Sequence, residues 1–412
     1  MDIVLVAPHY APHFEGGTEA VVRAQARELA RRGHRVRIVA GTDRAHAGID
    51  AETSKVDGLE VTHLPRLPDE YYDLDLDHPR LRSLVRAAAK GAELVHVHHW
   101  STLHAHLVRD FAEQGIPVAV TLHDLFLTCP RFFRLPPDPA IRCPEPGQFD
   151  TCARCVAPAT DWTHERLLAG FDRRAEWVAA ELAAARAVVV PSTSQVEIVG
   201  RYVPFDRARV HVIPHGLSSP LPRVVREGWD GSGPLRVLFL GHRSDVKGVR
   251  ELVRAVAGLA PGLRERVELV LLGSEMVAGY DEELLAEAEG AWLVFEGNYE
   301  LAELADRVRS IGGAHIGAFP SRAWESYGLV PDELRALGLP VWVSDRGAPK
   351  ERVGTAGRVL PAEDPAAWTR ALAEVLADPA SLERERRALP EQARTAADAA
   401  HELEELYATL RA

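Results

Sequence analysis

The sequence has few of the features that would place a protein in a membrane or on a nucleic acid. No window of 18 or more apolar residues occurs, so no membrane-spanning helix is predicted. The opening segment MDIVLVAPHY has no basic run ahead of its apolar residues, from which we expect no secretory signal and a cytoplasmic protein. Basic residues number 48 against 60 acidic ones, and the formal charge of −12 argues against a general nucleic-acid binder.

Cysteine is also scarce, and its distribution is uneven. The chain has four cysteines among 412 residues, and all four fall between residues 129 and 155. A chain of this length exceeds what one hydrophobic core supports, and a hydrophobic content of 46% allows two or three folded domains. Composition therefore predicts a multidomain globular protein with one unusual cysteine-rich loop.

Two series of Val- and Ile-rich runs alternate with helical patterns, which is typical of parallel sheets built from strand-helix-strand units. The first series begins at residues 2, 35, 59, 94, 117, 187 and 210, and the second at residues 236, 268, 293, 314, 340 and 357. We therefore predict an α/β fold of two Rossmann-like, doubly wound parallel-sheet domains facing a cleft. The predicted segments are a domain 1–215, a linker 216–234, a domain 235–388 and a C-terminal helix 389–412 that crosses back to the first domain.

Glycine-rich turns and basic side chains follow several of these strands, at the place where ligands of open α/β sheets bind. In GHRSDVKG, Lys247 stands at a predicted helix start and Arg243 follows the strand. In GLVPDEL, Gly328 precedes a helix whose first amides have no intrahelical partner. Basic side chains and helix N-termini both stabilise phosphate, so these turns predict a diphosphate site, with solvated turns as the alternative interpretation.

An acidic pair accompanies these turns. Glu325 and Glu333 are eight residues apart, the first in a predicted loop and the second in the opening turn of a helix. A carboxylate accepts two hydroxyl hydrogen bonds, which suits the diols of a ribose or a sugar. The alternative for Glu333 is a favourable charge near a helix N-terminus. Side chains from Phe295 to Tyr299 are expected to meet a nucleobase.

The segment ESYGLVPDEL, followed by RALGLPVWVSDRGAPKE, resembles the motif Glu, seven residues, Glu of retaining glycosyltransferases with the GT-B fold, specifically the family-four group (glycosyl transferases group 1). The segments GGTEAVVRAQARELARRGHRVRIVAGT, LHDLFLTCPR and VIPHGL resemble the same group. The resemblance implies metal-independent transfer of a hexose from a nucleotide-diphosphate sugar, with UDP or GDP favoured, to an acceptor hydroxyl. It also implies retention of configuration through a front-face displacement.

The resemblance further implies roles for individual residues. His123 and Glu325 would be the catalytic residues beside the donor sugar, Lys247 would hold the diphosphate, and Glu333 would hold the ribose hydroxyls. The residues implied to bind the donor are Gly16, Gly17, Arg243, Lys247, Ser326, Tyr327, Gly328, Leu329 and Glu333. The family's usual arginine directly after the glycine is His242 here, so that His242 or the displaced Arg243 would replace it.

The cysteines Cys129, Cys143, Cys152 and Cys155 have the spacing C-x13-C-x8-C-x2-C in a segment rich in Pro, Gly and Asp. Four thiolates complete a tetrahedral zinc shell, so we predict a structural zinc in the loop 129–155, bordering the acceptor side. No cofactor is predicted for catalysis. Free or redox thiols, an iron–sulfur cluster and disulfides are the alternatives for the cysteines.

The acceptor is expected to be a carbohydrate, a lipid-linked molecule or another small molecule. Arginines on the first helix and the strand after it would contact anionic lipid at the inner face of a membrane if the acceptor is membrane-borne. A solvated basic face is the preferred interpretation of this set, which comprises Arg23, Arg27, Arg31, Arg32, Arg35 and Arg37.

Rival interpretations cover both the function and two further motifs. No GxGxxG follows the first strand, which disfavours a nicotinamide dehydrogenase. A nucleotide-sugar epimerase or phosphorylase of the same fold, and a non-catalytic sugar-nucleotide-binding protein, are the alternative functions. The acidic run Asp73, Asp75 and Asp77 is interpreted as a solvated loop, and His96 with His98 as strand packing or acceptor contact.

Overall fold

A computed structural model describes residues 1–14, 16–42, 51–65, 74, 79–103, 106–138, 140–225 and 227–411. It divides the chain into two compact units, the first made of Met1–Ser218 with Thr395–Ala412 and the second of Ser219–Arg394. The acidic run Asp73, Asp75 and Asp77 lies outside the described residues.

The first unit is built on one sheet. Its strands are β1 (Asp2–Ala7), β2 (Arg35–Ala40), β3 (Glu52–Val56), β4 (Leu59–His63), β5 (Leu94–Val97), β6 (Val118–Thr121), β7 (Ala187–Val190) and β8 (Val210–Val212). Its helices are α1 (Gly17–Arg31), α2 (Pro79–Ala88), α3 (Leu107–Ala112), α4 (Phe149–Val156), α5 (His164–Ala184), α6 (Thr193–Tyr202) and the C-terminal α15 (Ala396–Arg411). The strand order is β3-β4-β2-β1-β5-β6-β7-β8, and every pair except the antiparallel β3–β4 is parallel.

The second unit repeats this architecture with six strands. They are β9 (Leu235–Leu240), β10 (Val267–Leu272), β11 (Trp292–Glu296), β12 (Ile316–Phe319), β13 (Val341–Ser344) and β14 (Gly357–Leu360). The helices are α7 (Val249–Ala257), α8 (Pro261–Arg264), α9 (Tyr280–Glu287), α10 (Leu304–Ser310), α11 (Val330–Leu337), α12 (Pro349–Val353), α13 (Pro365–Ala377) and α14 (Ala380–Arg387). The all-parallel order is β11-β10-β9-β12-β13-β14.

Burial explains why both sheets form. Residues 3–7 of β1 and all six residues of β10 are buried, because helices cover both faces of a parallel sheet. Helix α15 belongs to the first unit, where Leu403 and Tyr407 join the hydrophobic core of β1 and α1. Each such side chain contributes about 1.5–3 kcal/mol when it is fully removed from water.

The predicted α/β fold with two parallel sheets is confirmed, and the thirteen predicted strands begin within two residues of observed ones. Strand β3 was not predicted, because its sequence ETSKV is polar and its side chains are mostly exposed at the sheet edge. The structure divides the chain at residues 218 and 394 instead of delimiting a linker 216–234 and a terminal segment from 389. The residues from Ser219 to Pro234 are part of the second unit because Val225 and Trp229 are buried in its cores.

Each sheet has one point where the strand order reverses direction. In the second unit the chain builds β10 and β11 on one side of β9 and then β12 to β14 on the other, so the reversal lies between β9 and β12. In the first unit it lies between β1 and β5. Ligands of open α/β sheets bind in the crevice beyond the strand ends at such points.

Candidate functional site

Two loops of the second unit come into close contact at its reversal point. Gly248 ends the turn after β9 with a positive φ of 72°, and a Cβ there would stand 2.0 Å from the carbonyl oxygen of Pro320, which follows β12. The amide of Arg322 donates to the carbonyl of Val246 at 2.9 Å. Only glycine permits this approach, so residue 248 holds the two loops together.

The close approach brings a lysine and a glutamate together. Lys247 Nζ donates to Glu325 Oε1 at 2.9 Å, and Ser321 Oγ donates to the same oxygen at 2.8 Å. The Lys247 side chain is 31% exposed and that of Glu325 is 14% exposed, so the pair lies at the margin of the solvent. Both residues were predicted site residues, and the structure brings them into contact. Ser321 was not predicted; only its position four residues before Glu325 could have suggested it.

The main chain of Glu325 is also held in place by contacts with a neighbouring loop. The amide of Ala348 donates to the carbonyl of Glu325 at 2.8 Å. Gly347 has a φ of +71°, and a Cβ on it would lie 2.2 Å from the same oxygen. The loop after β12 is therefore held by the loop after β13, and the carboxylate of Glu325 projects from a rigid segment.

Helix α11 begins directly after this loop. Gly328 has a φ of +74°, Leu329 is the N-cap residue, and Pro331 occupies the first turn. The amides at the start of a helix have no intrahelical partner and carry partial positive charge. The N-terminus of α11 thus contributes positive potential a few residues from Glu325, and Ser326 lies half-buried on the segment that connects them.

An aromatic and ionic brace supports the same segment. The hydroxyl of Tyr327 donates to Asp332 Oδ2 at 2.6 Å, and Arg352 Nη2 donates to the carbonyls of Tyr327 and Gly328 at 2.8 and 2.9 Å. The guanidinium of Arg352 also stacks 3.9 Å from the Tyr327 ring centroid. The Tyr327 side chain is buried and contacts Asp332 and Arg352. If this residue contacts the donor, the contact is therefore expected from its main chain. Asp332 and Arg352 were not predicted, since their role depends on contacts across 20 residues.

Glu333 lies on the first turn of α11 beside an aromatic hydroxyl. Tyr299 donates its hydroxyl to Glu333 Oε2 at 3.3 Å. Burial raises the pKa of Glu333 to about 7, against an ordinary value of 4.5. The carboxyl group therefore gains or loses its charge near neutral pH, where small changes in its surroundings decide its state.

Arg243 has a structural environment. Its side chain is 6% exposed, and its Nε and Nη2 donate to the carboxylate of Asp281, both at 2.6 Å. Its Nη1 donates to main-chain carbonyls of the neighbouring strand ends, those of Leu271, Gly273 and Glu296. All three guanidinium nitrogens are engaged inside the second unit, and the donor contact of Arg243 stays a prediction.

The position after Gly241 is filled by His242. The His242 side chain is exposed, and its Nδ1 lies 2.9 Å from Ser274 Oγ. His242 and Arg243 are the two candidates to replace the family's arginine. The His242 side chain is exposed at the strand end, whereas the Arg243 side chain is buried and hydrogen-bonded inside the second unit.

In the first unit, histidines follow β5, which borders the reversal point, and the neighbouring strand β6. His98 follows β5 and His123 follows β6, and His98 Nδ1 lies 2.9 Å from His123 Nε2. His123 stacks on His215, with ring centroids 5.0 Å apart. Burial lowers the pKa of His123 to about 3 and that of His98 well below its ordinary value. The predicted residue His123 thus lies between two other imidazoles, and we call this set the histidine row (His98, His123 and His215).

A further histidine, His96 on β5, stacks against His98. The ring centroids of His96 and His98 lie 4.1 Å apart, and His96 is fully buried. Its ring nitrogens contact the hydroxyls of Tyr407 on α15 and Thr121 on β6, at 2.5 and 2.7 Å. His96 is therefore a packing residue, in line with the preferred interpretation.

The predicted glycine loop of the first unit already holds a carboxylate. Gly17 begins α1, and the amide of Gly16 donates to Glu19 Oε2 at 3.0 Å. Glu19 is 4% exposed, and its other oxygen lies 3.5 Å from His9 Nδ1. A phosphate at this N-terminus would compete with the protein's own anion, which argues against a donor contact through the Gly16 amide. The spacing of Gly16 and Glu19, typical of a capping arrangement, could have indicated this.

The four cysteines line one cavity of about 30 Å³ in the first unit. Cys129, Cys152 and Cys155 are partly buried, Cys143 is exposed, and all four are free thiols. Burial raises the pKa of Cys152 to about 12 and that of Cys155 to about 11. In the described part of the chain, no three His, Cys, Asp or Glu side chains already stand in ligating positions, so the predicted zinc site stays a prediction.

The basic set on α1 and β2 is largely paired within the first unit. Arg23 donates to Asp57 at 2.7 Å and Arg32 to Glu404 at 3.1 Å. Arg35 and Arg37 both pair with Asp2, at 2.9 and 2.7 Å. Each of these four arginines pairs with a carboxylate of the first unit, and Arg37 is buried, so the preferred interpretation as a solvated basic face does not apply to Arg37. None of these contacts supports lipid binding. Among the described residues, no helix combines the length and apolar character needed to cross a bilayer.

Comparisons with known proteins define the class of this molecule as a glycosyltransferase. The family described as Glycosyltransferase Family 4 matches residues 15–219, and that described as Glycosyl transferases group 1 matches residues 234–378. The D-inositol 3-phosphate glycosyltransferase of Xylanimonas cellulosilytica is 29% identical over 396 residues, covering 88% of this chain and 84% of that protein.

Solved structures agree on the fold. Sucrose-phosphate synthase from Thermosynechococcus elongatus has a TM-score of 0.71 at 20% identity, covering 99% of this chain and 98% of that chain. Anabaena HepE in complex with UDP has a TM-score of 0.61 at 16% identity, covering 99% and 100%. The chain belongs to the family-four group of glycosyltransferases with the GT-B fold, as its motifs predicted.

Proposed function

We propose that this glycosyltransferase binds a nucleotide-diphosphate sugar through its second unit and transfers the sugar to an acceptor hydroxyl with retention of anomeric configuration. The contact between Lys247 and Glu325 at the β9–β12 reversal point carries this proposal. It joins a cation for the diphosphate to a carboxylate for the donor sugar, on two loops that Gly248 locks together.

The charge of the diphosphate would be met by protein groups. Lys247 supplies a full positive charge, and the N-terminus of α11 supplies partial charge and main-chain donors at Gly328 and Leu329. Donors that are placed before the reaction begins stabilise developing charge without reorganisation, and removing one costs about 10²–10³-fold in rate. Lysine and helix amides would therefore fill the role that a divalent cation fills in metal-dependent transferases, which makes the proposed mechanism independent of metal.

Glu333 and Tyr299 suit the nucleoside end of the donor. A carboxylate accepts hydrogen bonds from two vicinal hydroxyls, which is the pattern of a ribose diol. The hydroxyl of Tyr299 donates to one carboxylate oxygen of Glu333 and orients the group. The ribose hydroxyls of a donor would donate to the remaining lone pairs of that carboxylate. UDP is bound by the structural relative HepE, so UDP-linked sugars are the first donors to examine here, with GDP-linked sugars next.

The first unit offers uncharged groups suited to sugar hydroxyls. The imidazoles of His98 and His123 are neutral at pH 7, since burial lowers the pKa of both. Within the described residues, His98 Nε2 is buried without a hydrogen-bond partner, and a ligand hydroxyl would complete this network. We assign the histidine row to the sugar hydroxyls of the donor or the acceptor.

The proposed reaction needs no protein nucleophile. The bond between the anomeric carbon and the phosphate oxygen breaks, and the acceptor oxygen bonds to the same face of that carbon. The acceptor proton passes to the departing phosphate oxygen, and a nucleoside diphosphate leaves. Glu325 would hold the donor sugar in place, while Lys247 and α11 stabilise the negative charge on the leaving group.

The test is product analysis with purified enzyme. A thermal-shift screen of UDP-, GDP- and ADP-sugars identifies the donor, because a ligand that binds the folded state raises its stability. Proton NMR of the product formed with that donor then reports the anomeric configuration, and the reaction is repeated in EDTA. An α-linked product from an α-linked donor, formed at the same rate in EDTA, is expected. An inverted product, loss of activity in EDTA that Mg²⁺ restores, or binding without any turnover would contradict the proposal.

A further inference from the structure

We infer that the loop 129–155 of the first unit is a zinc-binding staple in which Cys129, Cys143, Cys152 and Cys155 are the four ligands. The four side chains come from three separate segments and line one cavity of about 30 Å³. A cavity needs roughly 10–15 Å³ of such space to hold one water-sized particle, so this cavity has room for a single ion. No carboxylate is among the described residues that line the cavity, so sulfur is the ligand chemistry it offers.

Helix α4 supplies the first pair of ligands. Cys152 and Cys155 are three residues apart on α4, a spacing that puts both side chains on one helical face. The helix is fixed by Ala153 and Val156, which are buried in a cluster with Leu167 of α5. The pair is therefore presented by a packed element, as a chelating arm should be.

Arg134 ties the other two segments together. It donates to the carbonyls of Thr128 and Pro144, at 3.2 and 3.4 Å, and these residues adjoin Cys129 and Cys143. Its guanidinium stacks 3.5 Å from the Tyr202 ring centroid, and the Tyr202 hydroxyl donates to Pro144 as well, at 3.2 Å. The segments that carry the other two thiols are thus held to each other and to Tyr202 of α6 by contacts that do not involve sulfur.

The chain between Cys129 and Arg134 follows an unusual path. Phe132 and Arg134 both have positive φ values, 67° and 48°, which non-glycine residues rarely adopt. Such backbone persists only where its surroundings over-determine it, and it is concentrated at functional sites. In the loop 129–155, secondary structure begins only with α4 at Phe149, and four metal–sulfur bonds would stabilise this path.

The charges of the cavity fit an occupied zinc site. Four cysteine thiols would release four protons on binding Zn²⁺, leaving a tetrathiolate centre with a net charge of −2. Arg131, Arg134 and Arg142 all line the cavity, and their positive charges offset the negative charge of that centre. The thiols surround the cavity without yet standing at ligating distances, so binding requires rotation of cysteine side chains toward a common point.

Cys143 gives the sharpest test, because it is exposed and its substitution removes no packing. Its Sγ donates to the carbonyl of Arg134 at 3.2 Å, and a serine hydroxyl can keep that bond. We compare wild type with Cys143→Ser, with Cys143→His, which restores a zinc ligand, and with Thr151→Ala, which alters the same cavity lining without touching a ligand. The full chain is purified under reducing conditions without chelator and reconstituted with zinc.

Elemental analysis should find about one zinc per chain in wild type, Thr151→Ala and Cys143→His. Cys143→Ser should bind zinc at least about 100-fold more weakly, since loss of a ligand costs more than loss of a supporting contact. EDTA should lower the melting temperature of wild type and leave that of Cys143→Ser unchanged. The inference is overturned by wild-type protein that stays metal-free after reconstitution, by unaltered zinc binding in Cys143→Ser, by stoichiometric iron with a visible absorption band, or by two disulfides in the native protein.

Discussion

The two sheets differ in the charge of the side chains that follow their strands near the reversal points. In the second unit, the ends of β9 and β12 carry Lys247 and Glu325, followed by the N-terminus of α11. In the first unit, β5 and β6 lead into neutral, buried imidazoles. The N-terminus of its α1 is already occupied by Glu19. The two units share one architecture, and a few residues in the turns after the strands make one of them charged and the other neutral there.

This difference suggests how the work is divided between the units. A diphosphate needs positive charge, which the second unit supplies on rigid loops. Sugar hydroxyls need neutral donors and acceptors, which His98 and His123 supply.

Replacement of Lys247 should have the largest effect on activity. We expect Lys247→Ala to lower kcat/KM by about 10²–10³-fold, because a placed cation for the leaving group is lost. Its melting temperature should stay near that of wild type, since Lys247 is partly exposed. The matched control is Lys350→Ala, an exposed lysine of the same unit, which should behave as wild type. Equal rates for the two variants would remove Lys247 from the site.

Arg243 should show the opposite behaviour. Breaking its pair with Asp281 leaves a carboxylate without its partner, so Arg243→Ala should lower the free energy of unfolding by about 3 kcal/mol. Donor affinity, measured on the folded fraction, should be unchanged. His242→Ala should do the reverse and weaken donor binding without altering chemical denaturation. A stable Arg243→Ala protein that no longer binds donor would support the role first predicted for it.

Glu333 should make donor binding depend on pH. Its pKa in the folded protein is about 7, above the ordinary 4.5, so the folded state holds an extra proton between these values and the group lowers stability as pH rises through them. A donor diol requires the carboxylate form. The affinity for UDP-glucose, or for the donor found by screening, should therefore fall by about tenfold per pH unit below pH 7. In Glu333→Gln, calorimetric titration should give a profile without this step, and a profile unchanged from wild type would contradict the assignment.

Glu19 should matter for stability alone. Glu19→Gln removes the charge that caps α1, and we expect a loss of about 1 kcal/mol in the free energy of unfolding. Donor affinity should not change, since the diphosphate is assigned to the second unit. Glu28→Gln, on the same helix and paired only with Arg31 at the surface, serves as control and should stay within about 0.5 kcal/mol of wild type. A large change in donor binding by Glu19→Gln would bring the first unit into the diphosphate site.

Much of the fold could be predicted because buried parallel strands have a distinctive composition. Runs such as IVLVA in β1 and LVLL at residues 269–272 of β10 are apolar on both faces, which few other structures require. Strand β3 has no such pattern. The segment 219–234 is rich in Pro, Gly and Ser, which suggested a linker, yet Trp229 anchors it in the core of the second unit.

The candidate site was predictable where residues act within one loop. Lys247, Glu325 and the start of α11 lie in short motifs that are visible along the chain. The environment of Arg243 depends on Asp281, 38 residues away, and the brace of Tyr327 on Arg352, 25 residues away. Such partners are set by the sheet topology, which places distant loops side by side, and no local pattern encodes them.

Separate calorimetric titrations with UDP and with uridine measure how much the diphosphate contributes to binding. GDP and guanosine replace them if the thermal-shift screen selects a GDP-linked sugar. We expect wild type to bind the nucleoside diphosphate far more tightly than the nucleoside. In Lys247→Ala, this advantage should shrink by at least about tenfold while nucleoside affinity is preserved. An advantage that survives intact in Lys247→Ala, or an equal loss of affinity for both ligands, would contradict the proposed diphosphate site.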